Sequence, residues 1–271
     1  MGQAATNSFS IGVVSDNPLL IPMEVITSIS NSHVQALRAL YSKKGRDESA
    51  RYVLEGVNIV KDIPDAQRVL AYYVAESKHA ELSYVCKDGS APVYVLADDL
   101  MRRVADTVTP SGVVAVLPIP TAGEGWRTAA KLLVLDGVSD PGNVGTILRT
   151  AIAAGYPDVL LLGGADPYSP KVTRASMGAI YRLNVYAGAP VRPDELTQTV
   201  YLLDMDGTSV FGVVPDLPYA LVVGSEAKGA SDALRARADM VVSIPMSGGI
   251  ESLNAAVAAA IGMYQLNVNA N

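Results

Sequence analysis

The chain has 271 residues, enough for one large domain or two smaller ones, and its 27 acidic against 21 basic side chains give a net charge of −6 that argues against a broad electrostatic grip on nucleic acid while leaving room for a local basic patch. Hydrophobic residues make up 49% of it, yet no apolar run reaches bilayer-spanning length, Ala255–Ile261 coming nearest. Cys86 is the single cysteine, which excludes an intramolecular disulfide and a cysteine-built zinc site; with no secretory pattern at the start, a soluble cytoplasmic protein with no membrane partner is expected.

Residues 1–22 are polar and broken by Asn17-Pro18 and Ile21-Pro22, and read as a loose extension. Ile26–Tyr41 reads as a helix, capped by Asn31 or Ser32, with Val34, Leu37 and Leu40 at three-residue steps. A loop with Lys43, Lys44, Arg46 and Arg51, diluted by Asp47 and Glu48, follows. It is either an ordinary solvated loop or an RNA phosphate contact, for which such clusters are the usual signature. Strands at Tyr52–Leu54, Leu70–Ala75, Pro92–Leu96 and Gly112–Val116 alternate with helices from Gly56, Ser77 and Ala97. They make a small α/β unit over 23–118, in which His33 and His79 read as surface or capping residues rather than ligands. Prolines and glycines mark 119–128 as a linker.

From 129 to 271 the pattern becomes strict strand–loop–helix repeats, as in an α/β fold with a mostly parallel sheet. Lys131–Val138 is a strand, Ser139–Gly142 a turn, and Asn143 the expected N-cap of a helix with Val144, Ile147, Leu148, Ala151 and Ile152 on one stripe, closed by Gly155. Asp158–Leu162 is a buried strand and Ser169–Tyr181 a helix with Pro170 at its first position. Asn184–Tyr186, Val200–Leu203 and Val210–Val213 read as short strands. Leu221–Val223 and Val241–Ile244 are expected to end side by side, presenting two loops of small residues, Gly224–Gly229 and Pro245–Asn254, where open α/β sheets bind ligands. A last helix carries Leu253, Val257, Ile261 and Tyr264 on one apolar face.

Taken singly, the polar residues here are weak signals. Arg149 reads first as part of a solvated helix face, Glu226 as a loop carboxylate, and Ser252-Leu253-Asn254 as a plain helix start. There is no dinucleotide or P-loop fingerprint, no Ser-His-Asp set and no paired-carboxylate site. The combination is more specific. Asn143-Val-Gly-Thr-Ile-Leu-Arg149, then Gly224-Ser-Glu226-Ala-Lys-Gly229, then Ile244-Pro-Met246 through Ser252-Leu-Asn254 resembles, in order and spacing, the three motifs of the SpoU/TrmH family of S-adenosylmethionine-dependent RNA ribose 2′-O-methyltransferases, of the SPOUT class. Ser176-Met-Gly178-Ala179 fits the segment between the first two, and the first unit is similar to the family's small RNA-binding domain through Lys44-Gly-Arg46, Arg51–Gly56 and Thr107–Val113. Departures are Ala255-Ala256 where many members have valine-serine, and Ala230 where leucine is common.

That resemblance implies a C-terminal deep trefoil knot, an exception to the rule of unknotted connections, and a homodimer whose active site forms across the interface. It implies a donor, S-adenosylmethionine leaving as S-adenosylhomocysteine, held by Val223, Gly224, Ser225, Ile244, Met246 and Leu253, with no metal. The implied catalytic set is Arg149, Asn143, Glu226, Ser252 and Asn254, with Glu226 bonded to Arg149 or Asn143, and Lys43, Lys44, Arg46 and Arg51 would hold RNA phosphates. The family casts the matching arginine as the base; because a guanidinium pKa exceeds about 12, phosphate binding and oxyanion stabilisation by Arg149 is the preferred role. The implied substrate is large-subunit ribosomal RNA, and antibiotic-resistance methyltransferases share the layout. The alternatives are a transfer-RNA ribose methyltransferase and a catalytically inactive RNA-binding or ribosome-assembly protein.

Overall fold

The computed structural model describes residues 24–270 apart from 65–68, 87–90, 108, 122, 189–190 and 248–251; the extension expected at 1–22 lies outside the described residues. The chain builds two sheets in succession. The first has strands β1 (Arg51–Glu55), β2 (Ala71–Ala75), β3 (Val93–Leu96) and β4 (Val113–Pro118) in the order β1-β4-β2-β3, with β4 antiparallel to both neighbours and β2 parallel to β3. Helices α1 (Ser32–Ala39) and α2 (Lys43–Ser49) precede it, and α3 (Val57–Lys61), α4 (His79–Leu82) and α5 (Asp98–Val104) lie between its strands. Asn31 caps α1 by accepting from the His33 N–H at 2.9 Å, and Val34, Leu37 and Leu40 are buried. The helix starts later than the periodicity suggests because Ile26 bridges to Leu96 as a strand-like residue. The basic cluster is helical rather than a loop: Ser42 caps α2, its Oγ accepting from the Gly45 N–H at 3.1 Å.

The second sheet has β5 (Lys131–Asp136), β6 (Asp158–Leu162), β7 (Asn184–Ala187), β8 (Thr199–Ser209), β9 (Tyr219–Gly224) and β10 (Met240–Ser243), ordered β10-β8-β9-β5-β6-β7 with every neighbouring pair parallel. Helices α6 (Pro141–Ala153), α7 (Pro170–Ala175), α8 (Asp232–Arg237) and α9 (Ala255–Asn269) complete it. The central strands β5 and β9 are continuous apolar runs because both of their faces are covered. Chain order reverses between them, so the carboxyl ends of β5 and β9 form the topological switch point of the sheet.

Several sequence expectations need correction. β9 and β10 do not end side by side, since β8 runs between them. The strand expected at Val210–Val213 is a 3-10 turn over Val210–Gly212, because β8 itself continues to Ser209 to follow β10. Asn143 does not cap α6. Asp140 does, accepting from the Asn143 N–H at 2.8 Å, with Pro141 in the first turn, where its missing N–H costs nothing. α7 stops at Ala175, before the positive φ of Met177 and Gly178.

The face of α9 that carries Val257, Ile261 and Tyr264 is the outer one. Val257 is 49% exposed and Tyr264 47%, with Ile261 half-buried between them and Val268 continuing the stripe at 65%, while Ala255, Ala256, Ala259, Gly262, Met263 and Leu266 are buried. Small side chains let α9 lie close against β8, β9 and α6, where Leu221 of β9 and Leu203 of β8 come up to Gly262. Among the described residues no helix is long and apolar enough to cross a membrane.

The two sheets share one body of buried side chains, with Tyr52, Leu54 and Ala115 from the first packed in the same cluster as Val172, Ala179 and Tyr181 from the second. α7 lies against β1 at this seam. In the segment expected as a linker, Gly125–Thr128 forms a 3-10 turn that seats Trp126 in the core beneath the second sheet.

Candidate active site

In the register of the second sheet, Asp136 at the end of β5 pairs with Gly224 at the end of β9, so the loops that leave these strands are neighbours. The loop after β9 closes on itself. The Ser225 N–H donates to the Gly229 carbonyl and the Gly229 N–H to the Ser225 carbonyl, both at 2.9 Å. A side chain at Gly224 would overlap the backbone of Gly229 and Ala230, so glycine is required there by the chain's own turn rather than by a ligand's approach. The far end of the loop is tied to β5 by the Ser231 N–H donating to Asp136 Oδ2 at 2.6 Å.

This closed turn carries Glu226 across to the start of α6. Asn143 Nδ2 donates to Glu226 Oε1 at 2.8 Å, and the Ser139 N–H and Oγ reach Oε2 at 3.3 and 3.5 Å. Asn254 Nδ2 donates to Asn143 Oδ1 at 2.9 Å, while Asn254 Oδ1 caps α9 by accepting from the Ala256 and Val257 N–H groups at 2.9 and 3.3 Å. The direction of the whole series is set at its two ends. The first turn of a helix offers only donors, and an ionised carboxylate only accepts. Each asparagine therefore presents its oxygen towards α9 and its amide nitrogen towards Glu226. Partial burial alone would raise the Glu226 carboxyl, but the hydrogen bonds from Asn143 and from nearby backbone N–H groups outweigh it and hold the carboxyl below its ordinary value.

Arg149 is exposed, and its side chain makes no hydrogen bond or ion pair among the described residues. It lies six residues beyond Asn143 on α6, about 9 Å along the axis and roughly 120° around it. Of the two partners expected for Glu226, the structure brings Asn143 to it and not Arg149. Gly145, between them, packs α6 against α7: an added Cβ would overlap Ala175 and stand 2.8 Å from the Val172 carbonyl.

Among the other predicted site residues, Val223 is buried in β9, and Ser225 has its Oγ bonded within the closed turn to the Gly229 carbonyl at 3.1 Å. Ile244 is half-buried after β10, with Met246 exposed beyond it. Ser252 and Leu253 are exposed ahead of α9. Sequence reasoning missed Ser139 and Asp140, which hold Glu226 and the start of α6. The Asp140-Pro141 pair, a capping residue followed by proline, was the available signal.

The basic cluster does not stay together. Arg46, expected to hold RNA phosphate, is 3% exposed and points inward. Its Nε and Nη2 donate to Asp166 Oδ2 at 3.0 and 2.6 Å and its Nη1 to the Leu40 carbonyl at 2.8 Å, joining α2 to the segment before α7. Its donors are engaged and its head is out of reach of a polyanion, which corrects that assignment. Lys43 and Lys44 are exposed and pair along the helix with Asp47 and Glu48 at 2.8 and 3.7 Å. Arg51 is exposed, with no side-chain hydrogen bond or ion pair among the described residues.

The SpoU rRNA Methylase family matches residues 130–264, and the MRM3-like substrate binding domain matches 31–115. The chain is 32% identical over 256 residues to 23S rRNA (guanosine(2553)-2′-O)-methyltransferase RlmP of Bacillus subtilis, covering 90% of this chain and 99% of that one. Among solved structures, a TrmH-family protein from Porphyromonas gingivalis superposes with a TM-score of 0.77 at 33% identity, over 88% of this chain and 98% of the other. The AdoMet-bound rRNA methyltransferase from Sinorhizobium meliloti superposes with a TM-score of 0.79 at 25% identity, over 92% and 99%. With one residue of each motif, Asn143, Glu226 and Asn254, joined beside the switch point and the likeness running through both sheets, the chain belongs to the SpoU/TrmH family of S-adenosylmethionine-dependent RNA 2′-O-methyltransferases.

Proposed function

We propose that the protein methylates a ribose 2′-hydroxyl of large-subunit ribosomal RNA in the cytoplasm. The carrying observation is the directed series from the α9 N-terminus through Asn254 and Asn143 to Glu226 at the switch point, with Asn143 on the same helix as Arg149, an arginine whose side chain is unpaired among the described residues. The surroundings suit the donor: exposed apolar Met246 and Leu253 stand on segments flanking the polar series, as an adenosine with a charged tail would need. Val223, Gly224, Ser225, Ile244, Met246 and Leu253 would hold it. When bound, S-adenosylmethionine supplies the methyl carbon to which the ribose oxygen bonds, leaving S-adenosylhomocysteine.

The 2′-hydroxyl must lose its proton for that bond to form, and at this solvent-exposed end of the sheet the proton passes to water. Arg149, permanently charged, binds the adjoining phosphate and stabilises the developing oxyanion. Glu226, kept ionised, fixes the amide of Asn143; Asn143, Ser252 and Asn254 orient the ribose and the donor's carboxylate end. Lys43, Lys44 and Arg51 hold RNA phosphates in register, and the exposed i,i+4 pairs of the two lysines with Asp47 and Glu48 give way at little cost.

Two further features belong to this reading. The crossing of the chain from β9 out to β10 and back as α9 onto β9 and α6 supports a C-terminal trefoil knot. The outer stripe of α9, Val257, Tyr264 and Val268, supports a homodimer that buries on the order of 2,000 Å² or more, and the offset of Arg149 from Asn143 supports an active site shared between subunits. The test is calorimetry with S-adenosylmethionine followed by tritium transfer to 23S and transfer RNA. Donor binding with transfer to 23S rRNA is expected; transfer only to tRNA would replace the substrate, and RNA binding without transfer would mark an inactive assembly protein. Light scattering at micromolar concentration should return a dimer, and a monomer mass would remove the shared site.

A further inference from the structure

A cleft of about 340 Å³ crosses the face of the first sheet beneath α1 and α2, away from the motif loops. One end is aromatic. The His33 ring stacks on Tyr94 with centroids 4.1 Å apart and planes 27° from parallel, and Tyr73, register partner of Tyr94 across β2 and β3, lies tilted beside it at 5.1 Å. The Tyr73 hydroxyl donates to the His33 carbonyl at 3.1 Å, which fixes α1, and with it the imidazole, over the sheet. Exposed Leu70 and Pro92 complete that end of the wall. The other end lies at Arg51 on β1, whose guanidinium has no bonded partner among the described residues; Glu48, beside it, faces Lys44. From β3 to β1 the sheet is three strand spacings wide, about 14 Å.

We propose that this cleft is a subsite for one unpaired nucleotide of the RNA substrate, the base lying against the His33–Tyr94 pair and a flanking phosphate turned to Arg51. The proposal rests on the reading of the protein as an RNA methyltransferase and adds to it where a single-stranded element is held outside the catalytic loops. Flat rings at the surface recognise a base by its π-face irrespective of sequence, and an unpaired arginine supplies the complementary charge. The chemistry selects an unstacked nucleotide over a duplex, because a paired base cannot enter a cleft of this size. A phosphate alone would not use the aromatic end, and an apolar peptide would not use Arg51.

Fluorescence anisotropy with the full chain should compare an eight-nucleotide single-stranded RNA, the same strand with abasic positions, and a duplex of equal length. The parent should prefer the base-bearing strand. His33→Ala with Tyr94→Leu should weaken that strand about tenfold and bring it level with the abasic one, and His33→Phe, which keeps a stackable ring, should retain the preference. Arg51→Ala should weaken the base-bearing and abasic strands alike and lower the log–log salt slope by about 0.7. Because His33 is exposed, His33→Ala alone, with S-adenosylmethionine affinity unchanged, reports on the cleft even if the double variant does not fold. A parent that methylates 23S rRNA but shows no preference for base-bearing over abasic RNA, or variants that keep it, would overturn the subsite and leave the methyltransferase reading standing. A parent that neither binds nor methylates any RNA would overturn both.

Discussion

The seam between the two sheets and the loop end of the second sheet are both held by hydrogen-bonded charged side chains, and they are built to different ends. At the seam Arg46 is buried with its donors on Asp166 and the Leu40 carbonyl. Arg174 there reaches Asp106 at 2.8 Å, and Thr107 bonds Glu55. The nitrogens of Arg46 are all engaged within the protein, leaving it no capacity for a ligand, and its low-dielectric surroundings make each contact costly to lose. At the loop end Glu226, Asn143 and Asn254 are bonded to one another yet open to solvent, and Arg149 has no partner among the described residues. Arginines in the two regions look alike in sequence. Burial decides that one is structural and the other available for a substrate.

Breaking the seam should have the largest effect. Arg46→Ala leaves Asp166 without its cation in a mostly buried place and should cost about 3–5 kcal/mol of stability in urea unfolding. A loss below about 1 kcal/mol would mean the pair is no more than a surface bridge. The opposite signature is expected of Arg149→Ala. Its stability should stay within about 0.5 kcal/mol, while methyl transfer falls about a hundredfold, equivalent to roughly 2.7 kcal/mol in the barrier, and S-adenosylmethionine still binds. Full activity in that variant would remove Arg149 from the chemistry.

Asn254→Ala sits between these extremes because Asn254 both caps α9 and anchors Asn143. It should cost about 1 kcal/mol as a lost cap and reduce transfer as well; Asn254→Ser, which can still cap, should recover the stability but not the activity. Recovery of both would reduce Asn254 to a cap. The smallest effect concerns Glu226, whose carboxyl is held below its ordinary value by its hydrogen bonds. A carboxyl lowered in the folded state contributes stability that is complete above its unfolded value and is lost as pH falls through the lowered one. The stability advantage of the parent over Glu226→Gln should therefore be constant near pH 6 and shrink on acidification below about 4.5, by a small amount because the group is exposed. An advantage that grows on acidification would contradict the hydrogen-bond assignment.

The parallel α/β character of the second sheet was legible in the sequence because its strands are buried on both faces and so read as unbroken apolar runs. The grouping of Asn143, Glu226 and Asn254 was legible through the ordered motifs, since each stands where a strand or helix begins or ends. Tertiary structure alone decided the rest. Local pattern does not encode strand order, so nothing in the sequence placed β8 between β9 and β10. Periodicity cannot tell which of two apolar faces of α9 turns inward; the small face does, because alanines and Gly262 let the helix approach β9 closely. The charge of Arg46 does not reveal that a carboxylate 120 residues away awaits it. Gly224 looked like room for a ligand, but its neighbours in space are the backbone of Gly229 and Ala230. In each case the deciding contact is between residues distant in sequence or folded back in a turn, which composition and spacing do not record.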